Sequence, residues 1–389
     1  MPRVRTNPFR IHGVVTDSYF TDRATELTRL EQVLAEAGTK LLVYGPRRMG
    51  KTSALAQAIV NHQRRGGLAF LADLSTASTP VDMANRILEA AARALGTRWR
   101  DVVSDLVARL HLAVTLTPDP VSGFILPSLD LGLRSRSVED QRGSLVSTLD
   151  AIEALARARK TAIGVVLDEF QDIHRFGGEA AEWQLRGAMQ HHRQVSYILA
   201  GSEAALIRRM VDKGHAFYGM ADQLEFGPID PDHLARWIDS RMRRAGVEAA
   251  GVGARAVEAA GPGTRDVVQV ARRCFDNARG AGKASAADVD LALDDVMAEQ
   301  EPMLETTWNR LTVIQQNVLR AVAAGGGGLT TRATLDRFAL PSSGSAVNTA
   351  AALTESGILR RAEARGYAFE NPFFARWVRS RTAGDLGLH

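Results

Sequence analysis

Eight residues, Gly45-Pro-Arg-Arg-Met-Gly-Lys-Thr52, constrain this chain more than any other stretch. They match the pattern G-x-x-x-x-G-K-[ST] in full. The apolar run Leu41-Leu-Val-Tyr44 before them reads as a strand, and Ser53-Ala-Leu-Ala-Gln-Ala-Ile-Val60 after them reads as a helix. A loop of this kind turns successive backbone N–H groups toward an anion at a helix N-terminus, and its glycines allow close approach. The pattern therefore assigns Gly45, Pro46, Arg47, Arg48, Met49, Gly50, Lys51, Thr52 and Ser53 to a phosphate cradle. Lys51 is expected to reach the β- and γ-phosphates, and the Thr52 hydroxyl to ligate Mg²⁺. A chance glycine turn is the alternative, and the order strand, loop, helix speaks against it.

A length of 389 residues suggests two or three domains, and 45% hydrophobic with 24% charged residues is ordinary for a soluble globular chain. The first ten residues are basic and lack the apolar stretch of a signal peptide, and no apolar run approaches the length of a membrane span. The single cysteine, Cys274, excludes an intrachain disulfide and fits a reducing cytoplasm; its helical setting reads as a buried thiol. A cytoplasmic protein with no membrane partner is expected. Net charge is +4, unevenly spread. Residues 306–389 hold ten arginines against five acids, a balance of +5, so the remainder sums to −1. That asymmetry points to a polyanion at the C-terminal end, or else to a surface solvated by arginine.

The pattern after the loop alternates strands and helices. Strands are expected at 41–44, 68–74, 162–167, 195–200 and 223–226, with helices near 80–95 and 138–159. Residues 113–135, rich in proline and glycine, read as an irregular inserted hairpin. The helix at 21–34 is expected to be capped by Thr21 or Asp22. Beyond Pro228 the pattern is helical, over 231–244, 253–260, 264–278 and 286–299. From Trp308 it becomes three helices, 313–324, 331–338 and 343–356, and two short strands turning at Arg365-Gly366, the winged form of a helix-turn-helix.

Asp168-Glu169 close the third strand of this series. A strand-terminal Asp downstream of a phosphate loop is placed to hold Mg²⁺, and the next Glu to deprotonate an attacking water. Gly201-Ser202 end a strand at the same edge, where the hydroxyl can bond a γ-phosphate or water, or cap the next helix. His191 and His192 are adjacent and point about 100° apart on a helix, which disfavours a shared metal.

These boxes together resemble prokaryotic and archaeal-type AAA+ P-loop ATPases related to origin-recognition initiators and STAND ATPases. The residues carrying the resemblance are the loop, Leu167-Asp-Glu-Phe-Gln171, Gly201-Ser202 and the exit Phe226-Gly-Pro-Ile229. Tyr19-Phe-Thr-Asp-Arg-Ala-Thr-Glu26 is similar to the family's F-x-x-R-x-x-E box, and Glu370-Asn-Pro-Phe-Phe-Ala-Arg-Trp377 to its D-P-x-x-x-x-W ending, with Asn371 for Asp. The resemblance implies an α/β fold with a AAA+-type parallel sheet, a helical lid and a C-terminal winged helix. The corresponding limits are a basic arm at 1–15, a nucleotide domain at 16–228, a lid at 229–304 and a winged helix at 305–385. It implies ATP and Mg²⁺ as cofactors, with catalytic roles for Lys51, Asp168, Glu169, Ser202 and Arg265, metal held by Thr52 and Asp168, and Phe20 and Arg23 beside the adenine. Arg265 would contact the γ-phosphate; it also reads as a surface arginine in a first helical turn.

One departure is Met220, which stands in Tyr218-Gly-Met220 where relatives often carry an arginine finger. Arg208, Arg209 or Lys213 would have to substitute, or hydrolysis is slow. In the C-terminal piece, the third helix carries no Lys or Arg. Asn348 is its candidate for base edges, while Arg360, Arg361 and Arg365, with Arg376, Arg379 and Arg381 on the tail, favour phosphate contacts. The expected function is an ATPase acting with DNA, with homo-oligomers by analogy. The alternative is a STAND-like nucleotide-gated switch whose winged helix docks protein.

Overall fold

In a computed structural model, which describes residues 6–75, 77–95, 114–118, 125–129, 138–325, 328–362 and 366–386, the chain divides into two compact units. One is His12–Ile229; the other joins Met1–Ile11 to Asp230–His389. The first unit is built on strands β1 (Lys40–Tyr44), β2 (Leu68–Asp73), β5 (Ile163–Asp168), β6 (Val195–Gly201) and β7 (Asp222–Glu225), with β3 and β4 in a separate hairpin described below. All neighbours in the five-stranded sheet are parallel, in the order β2-β5-β6-β1-β7. Every residue of β5 and β6 is buried, as a parallel sheet covered on both faces requires.

Alternation along β1 divides the core. Leu41 and Val43 face one layer, with helices Ala24–Ala35 and Lys51–Arg64; Leu42 and Tyr44 face the other, with helices Pro80–Leu95, Val138–Arg159 and Ile173–Met189. Register pairs Tyr44 with Gly201, Asp73 with Asp168 and Leu167 with Leu199. The ends of β1, β5 and β6 therefore meet at one sheet edge, where α/β sheets commonly place their ligands. In the region expected as a hairpin, β3 (Val114–Pro118) and β4 (Ile125–Leu129) pair antiparallel. The rest of 113–135 lies outside the described residues.

The second unit begins with helices Pro231–Arg244, Val252–Ala260 and Thr264–Ala278. Asp230 caps the first, accepting from the His233 N–H at 2.7 Å, with Pro231 at the position where its missing N–H costs nothing. A Cβ on Gly253 would sit 2.0 Å from the Ala235 carbonyl, so only glycine fits where those helices touch. The short strands β8 (Glu248–Ala250) and β9 (Lys283–Ser285) pair parallel. The next helix, expected to stop at Glu299, runs from Ala286 to Asn309 straight through Pro302. Its far end carries buried Leu304 and half-buried Trp308 into the C-terminal core, and that packing outweighs the lost backbone bond.

Around that core lie helices Val313–Ala323, Arg332–Arg337 and Ser343–Glu355 and the antiparallel pair β10 (Leu359–Ala362) and β11 (Gly366–Phe369). A final helix, Pro372–Leu386, was not foreseen beyond the box at 370–377. It opens where Asn371 Oδ1 accepts from the Phe373 N–H, and it buries Phe373, Phe374, Trp377 and Val378. The N-terminal arm docks on helices of the second unit: Phe9 is buried edge-on against Trp237, Asn7 donates to the Arg272 carbonyl, and Arg241 and Arg272 donate to the Pro8 and Phe9 carbonyls.

Cys274 is fully buried in the helix Thr264–Ala278, and burial pushes its thiol up to about 12. A disulfide reagent should titrate no thiol in the native protein at neutral pH and one equivalent after denaturation, read by thiolate release.

Candidate functional site

The phosphate loop leaves β1 at Tyr44 and enters the helix Lys51–Arg64 through Gly50, whose φ of 85° is the left-handed region glycine adopts without strain. Gly45 is fixed by a neighbour: a Cβ there would lie 2.2 Å from the Phe226 carbonyl. Lys51 is buried, and its ammonium donates to the Gly45 and Pro46 carbonyls at 2.7 Å each. Thr52 Oγ1 donates to Asp168 Oδ2 at 2.6 Å, so the hydroxyl and carboxylate named as metal ligands meet across the gap between loop and β5. Burial pushes the Asp168 carboxyl upward; the Thr52 bond opposes that shift, and neighbouring Glu169 and Asp73 reinforce it.

Glu169 follows in the left-handed region at φ 54°, which turns it off the strand axis. Its Oε2 accepts from Ser202 Oγ at 2.7 Å and from the Gln171 amide. Ser202 is thus not the helix cap that the sequence allowed as one reading. The following helix, Ala204–Val211, begins after Glu203 with no side-chain cap. Arg47 is exposed, with a long 3.4 Å contact from its Nε to Ser202 Oγ. Ser53 Oγ accepts from the Val15 N–H at 3.2 Å.

The helix expected to be capped by Thr21 or Asp22 is instead preceded by Arg23 at φ 70°. The reason is tertiary. Arg23 is buried, its guanidinium donates to the Met49 carbonyl in the loop at 3.0 Å and to the Gly227 carbonyl at 2.6 Å, and it lies 4.8 Å over the Phe226 ring. Glu26 pairs with it at 2.7 Å. Arg23 therefore clamps the loop to the exit of β7, while half-buried Phe20 packs on the same core layer.

Other candidates are differently engaged. Arg208 pairs with Glu225 at 2.5 Å and lies over Tyr44, and Arg209 donates to the His174 ring, whose Nδ1 is 2.7 Å from Glu182. Lys213 is exposed, and Met220 is packed against the core. In the second unit, Arg265 is exposed in the first turn of its helix, and Asn348 and Arg361 are exposed, Arg361 stacking on Tyr367. Arg360 is half-buried, and Arg365 lies outside the described residues. The residue overlooked was Gln171, although it stood in the same box as Asp168 and Glu169.

This loop at the edge of a parallel β2-β5-β6-β1-β7 sheet defines a P-loop fold of the AAA+ type. A family model described as an ATPase domain predominantly from Archaea matches residues 20–243, and the chain belongs to that family. Among solved structures it is similar to a Walker-type ATPase of Pyrococcus abyssi, at 18% identity and a TM-score of 0.62 over 95% of this chain and 99% of that one. It is also similar to the Aeropyrum pernix ORC1 protein solved in complex with DNA, at 18% identity and a TM-score of 0.50 over 94% and 93%. No curated protein matches the chain.

Arg23→Met keeps the apolar length of the side chain but leaves the buried Met49 carbonyl without its donor, at a cost of roughly 1–3 kcal/mol, and also removes the donor to the part-buried Gly227 carbonyl. The midpoint of urea unfolding should fall with an unchanged slope.

Proposed function

We propose that the chain binds ATP with Mg²⁺ at this sheet edge and hydrolyses it slowly, and that nucleotide state governs a C-terminal winged helix acting on DNA. The observation that carries the reading is the convergence of Thr52 and Asp168 at 2.6 Å beside Lys51, with Glu169 next in line. The donor set fits the cofactor. Hydroxyl and carboxylate oxygens suit a hard divalent ion, and a buried carboxylate held above its usual range by burial gains from a cation beside it.

Mg²⁺ would supply charge neutralisation across the β- and γ-phosphates. The backbone N–H groups of 47–52 would cradle the phosphates, Lys51 would turn from loop carbonyls to phosphate oxygen, and Thr52 and Asp168 would hold the metal. Glu169 takes the proton of the attacking water, and Ser202 steadies Glu169. Arg265 is proposed as the cation that senses nucleotide in the second unit. Slow turnover follows from Met220 and from the engagement of Arg208 and Arg209 with their own neighbours, since an arginine finger is worth about 10³–10⁵ in rate.

For the C-terminal piece, the three helices and hairpin support a winged helix, with Arg360 and Arg361 on β10 as phosphate contacts. The helix Ser343–Glu355 supports a second reading, docking of protein, because it carries no cation for guanine.

Lys51→Ala should lose nucleotide binding in a fluorescent-ATP titration, while Glu169→Gln should bind and fail to turn over; normal turnover in Glu169→Gln would remove Glu169 as the base. Duplex DNA should stimulate turnover. In a salt series, Arg360→Ala with Arg361→Ala should flatten the slope of log K against log salt by about 1, because the two stand on opposite faces of β10 and one at a time can meet phosphate. A slope unaffected by both changes, or indifference to DNA, favours the protein-docking reading.

A further inference from the structure

Gln171 sits in the short 3-10 turn Phe170–Asp172 that follows Glu169, and it is 2% exposed. Its Nε2 donates to Glu169 Oε2, the oxygen that also accepts from Ser202. Its own Oε1 is buried with no hydrogen-bond partner. Chemistry fixes the orientation of the amide, because the reverse would set its oxygen against a carboxylate. The sheet edge makes room for it. A Cβ on Gly201 would lie 2.4 Å from Gln171 Oε1, so glycine at the end of β6 is what admits the side chain.

A buried amide with an unmatched oxygen is costly, and methionine would fill a similar volume without that cost. The bond to Glu169 is what offsets it. Glu169 needs such a bond: at φ 54° it belongs to neither the strand nor a helix, and its carboxylate is directed by side-chain anchors.

We propose that Gln171 is a positioning residue for hydrolysis, which with Ser202 pins Oε2 of Glu169 and leaves Oε1 as the oxygen that takes the proton of the attacking water. The proposal rests on the reading of Glu169 as the base. Gln171 does not touch nucleotide, and it acts only through Glu169.

Two variants test it: Gln171→Met, which keeps volume, and Gln171→Glu, which keeps shape but sets an acceptor against the carboxylate. Both should bind a fluorescent ATP analogue within about twofold of wild type and keep KM, while kcat falls about tenfold or more, within the range spanned by positioned general bases. A second readout needs no turnover. In nucleotide-free protein, the shift in urea midpoint caused by Gln171→Met should differ between the wild-type and Glu169→Ala backgrounds, because a bond between the two residues makes their effects non-additive. Additive midpoints, or an undiminished kcat in Gln171→Met, overturn the proposal. Failure of the underlying reading looks different: Glu169→Gln would then turn over normally, while the midpoint cycle still reports coupling.

Discussion

A carboxylate buried at the end of a central strand is the constraint around which the first unit is arranged. Asp168 is almost inaccessible, sits beside the acids Glu169 and Asp73, and is held by one hydroxyl and one backbone N–H. Burial disfavours its charge, and the Thr52 bond offsets that only in part. Such a group is tolerated where a cation is to be received. The phosphate loop, with Lys51 drawn onto its own carbonyls, is the neighbouring element of matching chemistry. β5 delivers Asp168 in register with Asp73, and β1 delivers the loop through the β1–β6 pairing, so sheet order sets the distance between hydroxyl and carboxylate.

The loop is tied at its other side as well. Arg23 joins Met49 to Gly227, three residues before the second unit begins at Asp230. The chain also passes between the units a second time, at Ile11–His12. Phe9 is anchored against Trp237 of the second unit, while the Val15 and Asp17 N–H groups bond Ser53 and Gln57 on the helix that leaves the loop. Both crossings thus lead directly from residues bonded to the loop or its helix.

Much of this was legible from residues alone. The strands β1, β2, β5 and β6, the loop and the Asp168–Glu169 pair announced themselves because buried parallel strands read as continuous apolar runs, and because the loop's backbone needs glycine and lysine at fixed spacing; the edge strand β7, Asp222–Glu225, is polar and mostly exposed. Strand order was not legible, since nothing local distinguishes β6 from β2 as the neighbour of β1. The left-handed turn at Arg23 was misread as an ordinary cap because its cause lies 26 residues away at Met49 and 204 away at Gly227. The helix through Pro302 was cut short for a similar reason, local propensity being outweighed by packing of Leu304 and Trp308. Gln171 carried no motif signal of its own, and only its orphaned oxygen and its bond to Glu169 mark it.

Charge in the second unit shows how composition can mislead about a partner. Residues 306–389 balance at +5, but residues 230–305 hold fourteen acids against ten basic groups, a balance of −4. Part of the positive side is spent inside the unit. Arg381 meets Glu301 and Glu305 on the long helix at 3.2 and 3.3 Å, and Arg376 meets Asp294 at 3.8 Å. Arg332 pairs within its own helix with Asp336. Each of these exposed pairs is worth little to stability, yet each offsets a cation in the field presented to a polyanion. Two of the three tail arginines, Arg376 and Arg381, thus face acids of the long helix Ala286–Asn309. Of the cations left outside those pairs, Arg360 and Arg361 in the hairpin stand on adjacent positions of β10 and so on opposite faces of a two-stranded ribbon. Only one of those faces can meet a phosphate backbone at a time, so any contact made there is small and depends on how the ribbon is presented.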